Sequence, residues 1–134
     1  MSVKDYSMFL FIDTTKDKEI AVALYAETGA EHLLHTIPIS RNASEALISA
    51  IDALFKQSGL QKPLGIIVVC GTEGRFSAIR TGVVSANALA LGWNVPVVGI
   101  RQGDDVRRAI EEVKSKSVFG KQVIPVYSKE PNIR

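Results

Sequence analysis

The sequence predicts an α/β domain built on a mixed five-stranded sheet with helices on its faces. Three observations carry that prediction. Three apolar segments stand at the start, joined by polar turns of only a few residues. Apolar spacing then changes from strand-like to helical near Asn42. From there apolar runs alternate with helical stretches, the pattern of strand–helix–strand crossovers.

Tyr6 to Thr14 (YSMFLFIDT) is a short, nearly continuous apolar run and predicts a buried strand. Thr15 to Lys18 is a polar turn, and Glu19 to Ala26 (EIAVALYA) predicts a second strand. Thr28-Gly29-Ala30 turns the chain into a third, Glu31 to Ile39, whose Pro38 belongs near a sheet edge because proline cannot donate to a ladder. Parallel neighbours need a crossover of a dozen residues or more, so turns this short make an antiparallel meander.

Asn42 to Glu45 (NASE) places a side-chain acceptor three residues before a glutamate, a variant of the capping box. Leu47, Ala50, Ile51, Leu54 and Phe55 follow at helical spacing, and Gly59 offers a left-handed terminator. Leu64 to Val69 (LGIIVV) is apolar throughout, as a central strand covered on both faces must be. Phe76 to Leu91 predicts a second helix ended by Gly92, and Val95 to Ile100 (VPVVGI) a fifth strand. Asp104 to about Ser115 predicts a charged third helix with acids early and lysine late, matching the helix dipole. Gln122 to Tyr127 is compatible with a last short strand before a polar tail. The order is that of the ribonuclease H-like fold, which is also the lobe of the sugar kinase, chaperone and actin (ASKHA) superfamily.

With 134 residues, 46% of them hydrophobic, the chain suits one domain spanning 1–134. A net charge of +2 does not by itself announce a nucleic-acid binder. One cysteine cannot form an internal disulfide. No secretory leader pattern opens the chain, and no apolar run approaches the ~20 residues that span a bilayer. The expectation is a cytoplasmic domain with no membrane partner.

The segment from Cys70 to Gly82 (CGTEGRFSAIRTG) invites catalytic readings. In a cysteine phosphatase loop a thiolate attacks phosphorus while an arginine closes a cradle of backbone amides. Arg75 stands one position too close to Cys70 for that geometry, and Glu73 would repel the phosphate. A nucleotide P-loop needs lysine at the helix start, and no lysine occurs between Lys62 and Lys114. A ribonuclease H-like nuclease would gather carboxylates around two metals. Asp13, Glu45 and Asp104 or Asp105 are candidates, with Glu73 displaced from the fourth-strand place held by Cys70 and Gly71. Each acid also has an ordinary use as a strand end, a cap or a helix start. His32 and His35 are three apart on a strand, so they face opposite sides and do not suggest a shared metal.

The chain resembles the TsaB (YeaZ) family, the dimerisation subunit of the bacterial machinery that makes threonylcarbamoyladenosine in tRNA. The family's first strand carries I-D-T-S/T, and here Ile12-Asp13-Thr14-Thr15 stands before Ile20 to Leu24. Its first helix begins near H-S-E; here Ala43-Ser44-Glu45 precedes Leu47 to Phe55. Its signature G-P-G-S-F-T-G-L-R-I-G corresponds to Thr72 to Gly82, in which Gly74, Phe76 and Arg80 match. Ala86 to Ala90, Val95 to Ile100 and the tail from Pro125 to Ile133 follow the family's later motifs. Glu73 and Arg75 stand where the family has proline and serine, and Ala43 where it has histidine.

The resemblance implies a non-catalytic scaffold, without cofactor or metal, that pairs with the catalytic TsaD-type subunit as a heterodimer. It also implies a TsaE-type ATPase as a further member of the complex, tRNA reached only indirectly, and a homodimer when the partner is absent. Family members carry a second lobe before the tail, where this chain has only the helix from Asp104. On the second helix, Ala78, Gly82, Ser85, Ala86 and Leu89 form a stripe of mostly small side chains. The residues alone leave two packings open, on the chain's own sheet or first helix, or against a partner. The resemblance favours a partner, with Ser44, Ile48 and Phe55 supplying the neighbouring face. Arg107, Arg108, Lys114, Lys116 and Lys121 could meet RNA electrostatically or form a solvated helix face.

Overall fold

In the computed structural model, which describes residues 8–16, 18–39, 42–72, 76–115 and 126–127, the chain opens with β1 (Met8–Asp13), β2 (Glu19–Ala26) and β3 (Glu31–Pro38). β1 and β2 pair antiparallel from Met8↔Ala26 to Asp13↔Ala21. β3 pairs antiparallel with β2, ending at Pro38↔Glu19. The meander expected from the short turns is therefore present, and Pro38 does lie on the edge strand. Gly29, at φ 93°, makes the β2–β3 turn possible, and its N–H donates to the Ala26 carbonyl at 2.9 Å.

Helix α1 (Ala43–Ser58) starts where the Asn42 side chain accepts from the Ser44 and Glu45 N–H groups, at 2.9 and 3.3 Å. It stops at Gly59, in the left-handed conformation, whose N–H donates to the Phe55 carbonyl. Strand β4 (Gly65–Thr72) then runs parallel beside β1. It extends three residues past the predicted end at Val69. The ladder with β5 (Val97–Arg101) skips a position between Val69 and Gly71, which leaves Cys70 out of register, and resumes at Gly71↔Arg101. A two-residue strand, β6 (Val126–Tyr127), pairs with Gly71 and Thr72 on β4's other side. The described sheet is thus the expected five strands in the order β3-β2-β1-β4-β5, with β6 added beyond them.

Helix α2 (Phe76–Trp93) runs through Gly92 instead of ending there. Asn94 is the terminator, at φ 59°. The Val95 N–H donates to the Ala90 carbonyl and the Asn94 N–H to that of Leu91, at 3.0 and 3.2 Å, a Schellman motif with asparagine in glycine's usual place. Helix α3 (Val106–Ser115) begins after the two aspartates, which serve as its entry. The Asp105 side chain accepts from the Arg107 N–H at 3.0 Å, and Asp104 accepts from Arg101 N–H at 2.9 Å.

Two apolar layers sandwich the sheet. On one face α1 and α2 cover Leu10, Ile12, Val22, Leu24, Ile66 and Val68. On the other, Ala109, Ile110 and Val113 of α3 cover Phe9, Ile67, Val69, Val98 and Ile100. Both helical layers depend on a glycine for contact. A Cβ on Gly65 would collide with Val113 of α3. One on Gly82 would fall in collision with Thr14, which follows β1 and is fully buried. Glycine inside a helix costs about 1 kcal/mol relative to alanine. Bringing Ile79 and Val83 fully onto the sheet offsets that, since each large apolar side chain contributes about 1.5–3 kcal/mol when buried.

Gly82→Ala should lower stability despite its better helix propensity. Overpacking against a stiff threonine costs about 1–3 kcal/mol, so a net loss of about 1–2 kcal/mol in denaturant unfolding is expected. Thr14→Ala should relieve part of it, giving a double mutant more stable than the sum of the singles. Additive losses would refute the close contact.

Candidate functional site

The eight residues of the sequence-predicted interface do not lie on one surface. Gly82 and Ala86 point into the chain: Gly82 meets Thr14, and Ala86 is fully buried in the core under α1 and α2. Their small size serves the chain's own packing, which removes them from any surface a partner could reach. Leu89 packs partly buried against the same core, and Ser85 is half-buried. Phe55 stacks on Trp93, with ring centroids 5.3 Å apart and planes within 5°, which joins the ends of α1 and α2. Ser44 and Ile48 do face outward on α1, Ile48 at 52% exposure. Ala78 and Phe76 are placed in the first turn of α2 by backbone only, and Gly74 lies outside the described residues. Arg80 is exposed.

A different stripe of α2 meets solvent. Arg80, Val84, Ala88 and Leu91 recur at four, four and three residues and are all exposed, Val84 at 59% and Leu91 at 81%. Val84 and Leu91 are the apolar residues that the sequence reading passed over. The signal was there: α2 is apolar on both sides, and a helix apolar all round has a second surface to cover. Close approach within the chain needs small residues as much as docking does, and at Gly82 and Ala86 they serve the chain's own packing.

The outer face of α1 borders a shallow groove of about 480 Å³ whose described lining is Ser44, Glu45, Ile48, Ser49 and Asp52. These positions repeat at helical spacing, with the apolar Ile48 between two carboxylates.

The acids considered for metal chemistry are kept apart. Asp13 is buried, and its carboxylate accepts from the Thr15 N–H at 2.9 Å and from the Thr15 hydroxyl. Glu45 sits on α1, while Asp104 and Asp105 hold the entry to α3 on the opposite side of the sheet. Among the described residues no group of three or more His, Cys, Asp or Glu side chains is placed to hold a metal ion. Cys70 is buried at the register shift of β4. His32 is exposed, while His35 reaches the α1 side, its Nε2 2.6 Å from Gln57 Oε1.

The basic residues of α3 are partly committed to the fold. Arg107 donates through Nε to the Thr28 carbonyl at 3.1 Å, and Lys114 lies 3.6 Å from Glu27 and 3.7 Å from Glu111. They tie α3 to the β2–β3 turn. Arg108 is exposed, and Lys116 and Lys121 lie outside the described residues. No helix among the described residues is long and apolar enough to cross a membrane.

This architecture, an antiparallel meander feeding parallel crossovers with helices on both faces, is an α/β lobe of the ribonuclease H-like, ASKHA kind. Comparison with known families places it further: the chain belongs to the family described as TsaD, tRNA N6-adenosine threonylcarbamoyltransferase, which matches residues 37–110. Among solved structures it is similar to YeaZ from Pseudomonas aeruginosa, at 26% identity and a TM-score of 0.62, over 71% of this chain and 44% of that one. It is equally similar to a protein described as uncharacterized with similarity to peptidase YEAZ, from Pseudomonas aeruginosa, at 25% identity and a TM-score of 0.63, over 71% and 43%. The chain therefore spans less than half the length of these solved relatives. No curated protein matches it. The resemblance to TsaB (YeaZ) read from the motifs thus has its counterpart in the fold.

At the α3 side of the sheet, Tyr25 packs edge-to-face on Phe11, centroids 5.7 Å apart, and its hydroxyl donates to Glu31 at 3.1 Å. Burial, and then the hydrogen bond and charge of Glu31, push the phenol up to about 12. The fold favours the neutral phenol, so its contribution to stability is whole below the ordinary value near 10 and is lost as pH rises from there to about 12. Phenolate absorbance should show one of the three tyrosines titrating late. Tyr25→Phe should remove that late step and flatten the alkaline decline in melting temperature; an unchanged titration would contradict the assignment.

Proposed function

We propose that this chain is a non-catalytic lobe that pairs with a TsaD-type catalytic subunit in the formation of threonylcarbamoyladenosine in tRNA. The observation that carries the reading is the outward side of the α1–α2 layer. Ile48, Val84 and Leu91 are large apolar side chains exposed on two adjoining helices of a domain that buries its other apolar helix faces. Family membership and the similarity to YeaZ support the choice of partner.

On this reading the chain acts by docking. The chemistry belongs to the partner, which the chain holds in an active form. Two copies could meet through the same side when the partner is absent. The proposed surface keeps Ser44 and Ile48, and replaces the inward-facing Gly82 and Ala86 with Val84 and Leu91.

Ile48→Arg and Val84→Arg each place a charge on this side without touching the core. Hot-spot residues at the desolvated centre of an interface cost about 2 kcal/mol or more when lost, roughly thirtyfold in affinity, and a buried charge there is expected to reach that size. Calorimetric titration of the TsaD-type subunit from the same organism should show at least that loss, with melting temperatures within a few degrees of the parent. If both variants bind as the parent does, the docking surface lies elsewhere.

A further inference from the structure

The outer edge of β3 presents backbone groups whose direction the ladder fixes. The Ile39 N–H donates to the Lys18 carbonyl at 2.9 Å, and β3 then pairs with β2 at Ile37↔Ile20, His35↔Val22 and Leu33↔Leu24. Residues of an antiparallel strand alternate between hydrogen-bonding to the neighbour and facing away from it. Ile39, Ile37, His35 and Leu33 therefore direct their amides to β2, while Leu34 and Thr36 direct theirs outward. Pro38, the next outward position, has no N–H to offer. At the other end the register shifts between Leu24 and Tyr25, where His32 is the extra residue of a bulge. Between bulge and proline the edge offers the N–H and C=O groups of Leu34 and Thr36. Among the described residues no strand pairs with it, because β3 ends the sheet order. Sheet edges are commonly blunted by charged side chains, yet none occurs from Leu33 to Ile39, and Leu34 is 49% exposed.

We propose that this edge receives a second copy of the chain, the two β3 strands pairing antiparallel about a two-fold axis at His35. In that register Leu34 and Thr36 of one copy exchange N–H···O=C bonds with Thr36 and Leu34 of the other, so every outward donor and acceptor between the bulge and Pro38 is used. The array of N–H and C=O groups is thus complementary to itself, as a closed two-fold interface requires. Each exposed Leu34 comes to lie across from Thr36 of the other copy, on the face of the sheet away from α1. The helices have room for this arrangement. α1 packs on β2 and β3 alike, and strands lie about 4.8 Å apart, so the two α1 axes would stand about 10 Å apart, a helix-contact distance. Gln57, bonded to His35, marks the side of α1 toward this edge, and Ala46 and Ala53 share that side without a charge. The outward side of Val84 and Leu91 stays free on both copies, so the inference stands apart from the docking reading.

Sedimentation equilibrium of the whole chain should show a reversible dimer. Thr36→Pro removes one outward donor from each copy and leaves the bonds to β2 in place, as Pro38 does two residues on, so the dimer should weaken roughly thirtyfold. Leu34→Lys, which sets a charge on either side of the axis, should weaken it as well. Melting curves of the dilute variants report the fold separately. His35→Cys should give a disulfide-linked dimer on mild oxidation, because residues facing each other across such a pair stand about 4.5 Å apart at Cα. Adding Thr36→Pro to that variant should prevent the link. A parent that stays monomeric at millimolar concentration would overturn the inference. So would a dimer that Thr36→Pro and Leu34→Lys leave intact, and its loss in Val84→Arg would place the contact on α2 instead.

Discussion

The approach of α2 to the end of β1 sets the geometry of the helical layer. At Gly82 the helix backbone comes so near Thr14 that even a methyl group would collide with it. That closeness lets Ile79, Val83, Ala86 and Ala90 settle onto the sheet, and it brings α2 alongside α1, where Phe55 and Trp93 stack. A glycine in mid-helix is a local loss and a global gain. It sacrifices helix propensity to shorten the distance between two layers, and the apolar burial that follows is several times larger.

The opposite layer uses the same device at Gly65, where Val113 of α3 occupies the space a side chain would need. Arg107 and Lys114 then fasten α3 to the β2–β3 turn through the Thr28 carbonyl and Glu27. The two faces of the sheet differ in what lies outside them. α3 is charged on its solvent side, with Arg107, Arg108, Glu111, Glu112 and Lys114 all exposed, whereas α2 presents Val84, Ala88 and Leu91. A solvent-facing helix gains nothing from such residues, and a docking helix does. That contrast, more than any polar cluster, directs attention to the α1–α2 side.

Much of this was legible in the sequence. Turns as short as Thr28-Gly29-Ala30 leave antiparallel pairing as the sole arrangement, and Asn42 and Gly59 mark both ends of α1 by their capping chemistry. What escaped was decided by tertiary contact. β4 continues past Val69 because Arg101 and Val126 are there to pair with Gly71, which no local signal reveals. Gly92 looks like a terminator, but the chain places Asn94 in the left-handed position, which asparagine adopts at helix ends less often than glycine. Small residues at Gly82 and Ala86 signal a demand for close packing, which the resemblance assigns to a partner and which the chain meets internally. Whether a demand is met inside or outside the chain depends on the rotation of the helix about its axis, which spacing alone leaves open.

The central claim, that the outward side of α1 and α2 is the docking surface, can be read directly from methyl resonances. Ile48, Val84 and Leu91 would be followed as the TsaD-type subunit is added, with Leu34 of β3 and Leu64 before β4 as exposed controls. The account predicts that the first three shift or broaden together while Leu34 and Leu64 stay in place. Movement of Leu34 or Leu64 with Ile48, Val84 and Leu91 unchanged would contradict it.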